Sequence, residues 1–170
     1  MPRLWTLLFF SLVVPPPDAR TQFPSPPALT GSTLGTNLRN AAAATHTQAT
    51  VLRTALDNWS RRANSGTYTG DDFQRDFVNV QSQFQALRNQ FDWLGQLALQ
   101  LGRPRADNAV AELDAGLNII AELFIFLDQQ FAAGTLDRAT ILRTARVFQK
   151  AVQEWERELR KNTSRLGLAG

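Results

Sequence analysis

The stretch that decides the fold is FQRDFVNVQSQFQALRNQFDWLGQLALQL, residues 73–101. Its apolar residues follow one another at alternating steps of four and three: Phe73, Phe77, Val80, Phe84, Leu87, Phe91, Leu94, Ala98 and Leu101. This heptad spacing places the side chains on one stripe of an α-helix. A helix with such a stripe packs lengthwise against nearly parallel or antiparallel neighbours.

Three further segments repeat the same spacing: residues 38–63, 106–131 and 141–159. The polar turns between the segments are short, and short turns place consecutive helices antiparallel. The sequence therefore predicts an all-α protein, an antiparallel up-down-up-down four-helix bundle over residues 36–166. The predicted helices cover about residues 37–63, 71–101, 104–133 and 135–162.

The predicted helix ends rest on residues that favour caps and turns. Thr36 or Asn37 is expected to cap the first helix, because a short polar side chain there accepts a bond from a free backbone N–H. Gly102 is expected to end the second helix, since glycine readily adopts the left-handed conformation of a C-terminal cap. Thr135 is expected to cap the fourth helix.

Residues 1–19 have the form of a secretory signal peptide. Arg3 precedes an apolar run at residues 4–14, which is shorter than the roughly 20 residues that span a bilayer. We expect export to the periplasm or the extracellular space of a bacterium, with membrane tethering if the segment is not cleaved. The alternative is an N-terminal hydrophobic tail that belongs to the fold.

Residues 20–35 are predicted to be a flexible arm that precedes the bundle. Proline, serine, threonine and glycine dominate this segment, and its large apolar residues are Phe23, Leu29 and Leu34. Proline-rich chain favours extended, hydrated conformations and builds no core of its own.

Composition argues against metal and cofactor chemistry. The chain has no cysteine, one methionine at its start, and one histidine, His46. Thiolate metal sites, iron–sulfur clusters and disulfides are therefore excluded. Di-iron bundles use Glu-x-x-His pairs, which do not occur here. We expect no metal and no cofactor.

The sequence also offers no catalytic constellation. No glycine pattern of a nucleophile elbow surrounds any serine, and no glycine-rich phosphate loop occurs. We therefore predict that the protein is not an enzyme.

The net charge of +3 is small, although the pI is near 10.2. Basic residues concentrate on the first and fourth helices, which are neighbours in an up-down bundle, and acidic residues on the second and third. The predicted basic face comprises Arg53, Arg143, Arg146, Lys150, Arg157 and Lys161. It either pairs with acidic residues across helix boundaries or binds an anionic envelope polymer, a lipid or an acidic partner. The signal-like start argues against nucleic acid as a partner.

Six apolar residues fall outside the seams or on their flanks: Trp93, Leu97, Ile119, Leu123, Ile125 and Phe126. An exposed apolar stripe of this kind marks a partner surface. Its occupant would be another exported protein, a second copy of this chain, or the arm. The alternative is a wider core that buries these side chains.

The first helix is rich in small residues at 41–49. Small residues facing large ones, such as Trp155, make an interdigitated core, whereas an unfilled gap would make an apolar cavity. The sequence thus predicts an exported, non-enzymatic helical-bundle protein that acts as an interaction or structural component of the cell envelope or periplasm. The alternative is a binder of a small apolar or lipid-like ligand in the bundle interior.

Overall fold

The computed structural model describes residues 31–162 and 165–166, and in these residues the chain forms helices and no strand. The four helices are α1 (Gly31–Ala63), α2 (Gly70–Leu99), α3 (Pro104–Ala132) and α4 (Arg138–Lys161). The prediction of an all-α four-helix bundle is confirmed. The signal-like segment, and the predicted arm as far as residue 30, lie outside the described residues.

Each helix packs against the next along the chain, and α4 closes the ring against α1. Contacts between α1 and α2 join Gln48 to Gln83 and Trp59 to Phe73, so residue numbers rise on one helix as they fall on the other. The side chain of Arg138, at the start of α4, donates to the carbonyl oxygen of Ala63, at the end of α1. Neighbouring helices are therefore antiparallel.

Aromatic rings fill one end of the core. Trp59 packs against Phe73, Phe77 and Phe148, with ring centroids 6.0, 6.5 and 6.3 Å away. Phe124 and Phe148 lie 4.6 Å apart between α3 and α4. Aromatic pairs of this geometry add about 0.5–1.5 kcal/mol each to the free energy of area burial. The cluster joins all four helices.

The first helix begins at Gly31, six residues before the predicted position. Leu34 is only 7% exposed and Leu38 only 1%, so the apolar seam continues one turn further toward the N-terminus. Gly35 obscures this turn in the sequence, because glycine inside a helix costs about 1 kcal/mol relative to alanine. Burial of Leu34 offsets that cost, so residues 31–35 belong to α1 and not to the predicted arm.

The cap of α4 is Asp137 and not Thr135. A carboxylate oxygen of Asp137 accepts a 2.7 Å hydrogen bond from the backbone N–H of Thr140. The Thr135 hydroxyl instead donates to the carbonyl oxygen of Gln130, at the end of α3. The predicted glycine stop after α2 is present, since Gly102 adopts a left-handed φ of 60°.

Candidate functional site: an apolar and basic surface on α3 and α4

The six apolar residues predicted to form a partner surface do not lie together. Leu97 is completely buried, so its placement on the surface was wrong. The antiparallel register of α1 and α2 puts Leu97 level with the first turns of α1. Those turns carry the buried Leu34 and Leu38. The sequence did not reveal this neighbour of Leu97, because α1 begins earlier than predicted.

Trp93 and Ile125 are exposed but lie on two other sides of the bundle. Trp93, on the outer face of α2, is 39% exposed. Ile125, 43% exposed, lies on the α2 side of α3. Asp114 marks that side, because it accepts a 2.9 Å hydrogen bond from Arg88 of α2. Neither residue adjoins the remaining three.

Ile119, Leu123 and Phe126 lie on the α4 side of α3. Ile119 is 59% exposed and Phe126 44%, whereas Leu123 is partly buried against the core. Gly116 shows which side of α3 faces α4, because a Cβ added there would stand 2.8 Å from the ring of Trp155 in α4. Residues three, seven and ten positions further along share that side of the helix.

Val147 of α4 extends this surface, and the sequence reasoning missed it. Its side chain is 46% exposed. It precedes Phe148, which packs on Phe124, and its helical position points toward the flank of α3. The α3–α4 apolar surface therefore consists of Ile119, Leu123, Phe126 and Val147. The available signal was a valine outside the seam of the fourth helix, the same signal that identified Phe126.

A basic face adjoins the α3–α4 apolar surface. Arg143, Arg146 and Lys150 project from the outer face of α4 around a shallow depression of about 500 Å³ that Leu142 and Val147 also line. Residues 138–150 contain four cations, Arg138 among them, and no aspartate or glutamate. Lys150 makes a long 3.9 Å contact to Glu154, and its side chain stays 78% exposed. This half of α4 is thus strongly basic.

The other predicted basic residues are engaged differently. Arg53 lies between α1 and α4, where its Nη1 stands 3.0 Å from Oε2 of the buried Glu156. Arg157 and Lys161 lie in the second half of α4, where Glu154, Glu156 and Glu158 balance three cations. Lys161 contacts Glu158 at 2.6 Å. Carboxylates thus engage Arg53 and Lys161, whereas Arg157 is exposed and forms no ion pair among the described residues.

A polar cleft of about 650 Å³ lies at the turn between α1 and α2. There the Tyr68 hydroxyl accepts a 2.9 Å hydrogen bond from Nε1 of Trp59 and donates a 3.3 Å bond to Asp76. Arg62 pairs with Asp76 at 3.1 Å and with Asp72 at 3.0 Å. The sequence did not single out Tyr68, because a lone tyrosine in a polar turn carries no pattern.

Burial controls protonation in the polar cleft. Desolvation, followed by the negative charge of Asp76, raises the pKa of Tyr68 well above its usual range. Desolvation also raises the pKa of Asp76, and the positive charge of Arg62 opposes that rise. The phenol is therefore protonated at neutral pH and is not a base. The hydrogen bonds of Tyr68 to Trp59 and Asp76 connect the turn between α1 and α2 to the core.

Neither a metal cluster nor a membrane-crossing helix occurs in the described part of the chain. No group of three or more His, Asp or Glu side chains there is arranged to hold an ion. No helix among residues 31–161 combines enough length with enough apolar character to cross a bilayer.

No family model matches the chain, and neither a characterised protein nor a solved structure is significantly similar to it.

Proposed function

We propose that the protein is an exported, non-enzymatic component of the bacterial cell envelope or periplasm that works by binding through α3 and α4. The observation that carries the proposal is the α3–α4 apolar surface, where Ile119, Phe126 and Val147 are each more than two-fifths exposed. Export is inferred from the signal-like residues 1–19.

Exposed apolar side chains of this size favour association. Fully burying an isoleucine, phenylalanine or valine side chain stabilises a complex or a core by about 1.5–3 kcal/mol. Three such exposed residues, with the partly buried Leu123 between Ile119 and Phe126, lie on two adjacent helices, and exposed apolar groups of this kind mark interaction sites. Single exposed residues such as Val78, which is 49% exposed on α2, carry no such meaning.

Affinity purification from the envelope fraction tests the proposal. Wild type is expected to co-purify with envelope material, and Phe126→Asp is expected to lose it. Val78→Asp is the matched control, because it places the same charge at an equally exposed apolar position on another helix. Equal recovery by Phe126→Asp and Val78→Asp would contradict the proposal.

The alternative, a binder of a small apolar or lipid-like ligand inside the bundle, has less support. Leu34, Leu97 and Trp155 are all buried, and large buried side chains opposite small ones fill an interior that would otherwise hold a ligand. Native mass spectrometry that finds a bound lipid, together with a thermal shift on adding fatty acids, would favour this alternative.

A further inference from the structure

The face of α4 opposite the core combines apolar and cationic side chains in a fixed order. Phe126 of α3 and Val147 of α4 lie on one flank, and Leu142 lies on the other. Between them project Arg143 and Lys150, with Arg146 beside Leu142. Helical position sets the order of the α4 residues, since residues advance by 100° along an α-helix.

We propose that this face binds the surface of an anionic phospholipid bilayer. The inference rests on the proposed function, because it names the partner of the same surface. The side chains of Phe126 and Val147 enter the boundary between the lipid headgroups and the acyl chains. The cations between them then meet lipid phosphates, and amphipathic surfaces bind membranes in this way without crossing them.

Charge complementarity selects this occupant over the others. A soluble polyanion would satisfy Arg143, Arg146 and Lys150 but leave Phe126 and Ile119 in water. A second copy, docked by a twofold axis through this face, would bring the two sets of cations together. An anionic bilayer matches both the cations and the exposed apolar side chains, because it offers negative charge above an apolar layer.

Arg146 supports a role beyond internal pairing. It makes no hydrogen bond or ion pair with any other residue in ranges 31–162 and 165–166. Arg53, in contrast, is held by Glu156 across the α1–α4 interface. The basic half of α4 thus keeps cations available on its outer side.

Co-sedimentation of the full chain with vesicles tests the inference. We expect binding to vesicles of phosphatidylglycerol and phosphatidylcholine, weak binding to pure phosphatidylcholine, and a loss of affinity as salt rises. A cation near an anionic surface contributes about fivefold in affinity, which corresponds to about 1 kcal/mol. The triple variant Arg143→Glu, Arg146→Glu, Lys150→Glu should therefore bind at least about 100-fold more weakly.

The matched control carries the same change of net charge at the other end of the bundle. Arg39→Glu, Arg103→Glu, Arg105→Glu alters three exposed cations and should bind nearly as wild type does. Equal affinities for the two triple variants would overturn the inference, whatever the cause of the remaining binding.

A spectroscopic probe reports the site itself. Phe126→Trp should show a blue-shifted emission component on adding phosphatidylglycerol vesicles, after subtraction of the wild-type signal. An unshifted component would overturn the inference. If vesicles fail while wild type but not Phe126→Asp still captures an envelope protein, the lipid inference falls and the proposed function stands. Failure of both experiments overturns both.

Discussion

Arg53 of α1 and Glu156 of α4 form an ion pair across the interface that closes the bundle. Arg53 Nη1 lies 3.0 Å from Glu156 Oε2, and the glutamate side chain is only 1% exposed. Arg160 approaches the same oxygen at 3.9 Å. The second oxygen, Oε1, is buried and has no hydrogen-bond partner among the described residues. The carboxylate therefore depends on Arg53 for most of its compensation.

Arg53→Ala should lower the free energy of unfolding by about 2–3 kcal/mol, because it leaves a buried carboxylate without its nearest cation. The loss lies below the roughly 3–5 kcal/mol of fully buried pairs, because the Arg53 side chain is 36% exposed and Arg160 remains near. Urea unfolding measures it, with Arg39→Ala as an exposed control expected to change stability by no more than about 0.5 kcal/mol. The double variant Arg53→Met, Glu156→Leu should recover most of the loss. A loss that the double variant does not reduce would count against this reading.

Tyr68 is the single tyrosine of the chain, so tyrosinate absorbance reports it alone. In the folded protein the midpoint should lie well above the ordinary pKa of 10.0, because burial and Asp76 both raise the pKa of the phenol. Asp76→Asn should move the midpoint down by removing the second cause. Protein unfolded in guanidinium should titrate near 10, and a folded midpoint at that same value would refute the prediction.

The same pKa shift links stability to pH. The folded pKa of Tyr68 is raised above the unfolded value of 10.0. Its contribution to stability is therefore complete below about pH 10 and is lost as pH rises toward the folded pKa. Denaturation midpoints in urea should fall above pH 10, and less so in Tyr68→Phe. That variant should also be less stable at neutral pH, since the Trp59 N–H loses its acceptor.

Gly116→Ala should destabilise the bundle by about 1–3 kcal/mol, because the added methyl group would stand 2.8 Å from Cδ1 of Trp155. The ring has little freedom to move, since its Nε1 donates a 2.8 Å hydrogen bond to the carbonyl oxygen of Leu113. Gly35→Ala is the matched control. Nothing lies within 4 Å of its added Cβ, so helix propensity should stabilise α1 by about 0.5–1 kcal/mol. Thermal unfolding compares the two, and a stabilising Gly116→Ala would refute the close packing.

Leu97→Ala should cost about 2–5 kcal/mol by leaving a cavity in the core. Leu99→Ala, two residues away, should change stability little because Leu99 is 49% exposed. Guanidinium denaturation of both variants measures the contrast. Similar losses at the two positions would mean that Leu97 is not buried under α1.

The sequence identified the helices because their signal is local. Steps of four and three, glycine at Gly102 and the proline that opens α3 each act within a few residues. It misplaced the start of α1 and the cap of α4 for equally local reasons. Gly35 weakens the helical pattern before Leu38, and Thr135 stands two residues before Asp137, which also favours a cap.

By itself, the sequence determined the class of fold: four amphipathic segments on short turns can bury their seams only against one another. Only the tertiary structure decided whether a residue at the edge of a seam is buried or exposed. Leu97 is buried and Phe126 is exposed, although both lie beside a seam, because only Leu97 has another helix packed over its flank. Likewise Arg53 faces a buried carboxylate while Arg146 faces outward. Periodicity gives the angle of a side chain on its own helix, but the rotation and register of the neighbouring helix decide what it meets there.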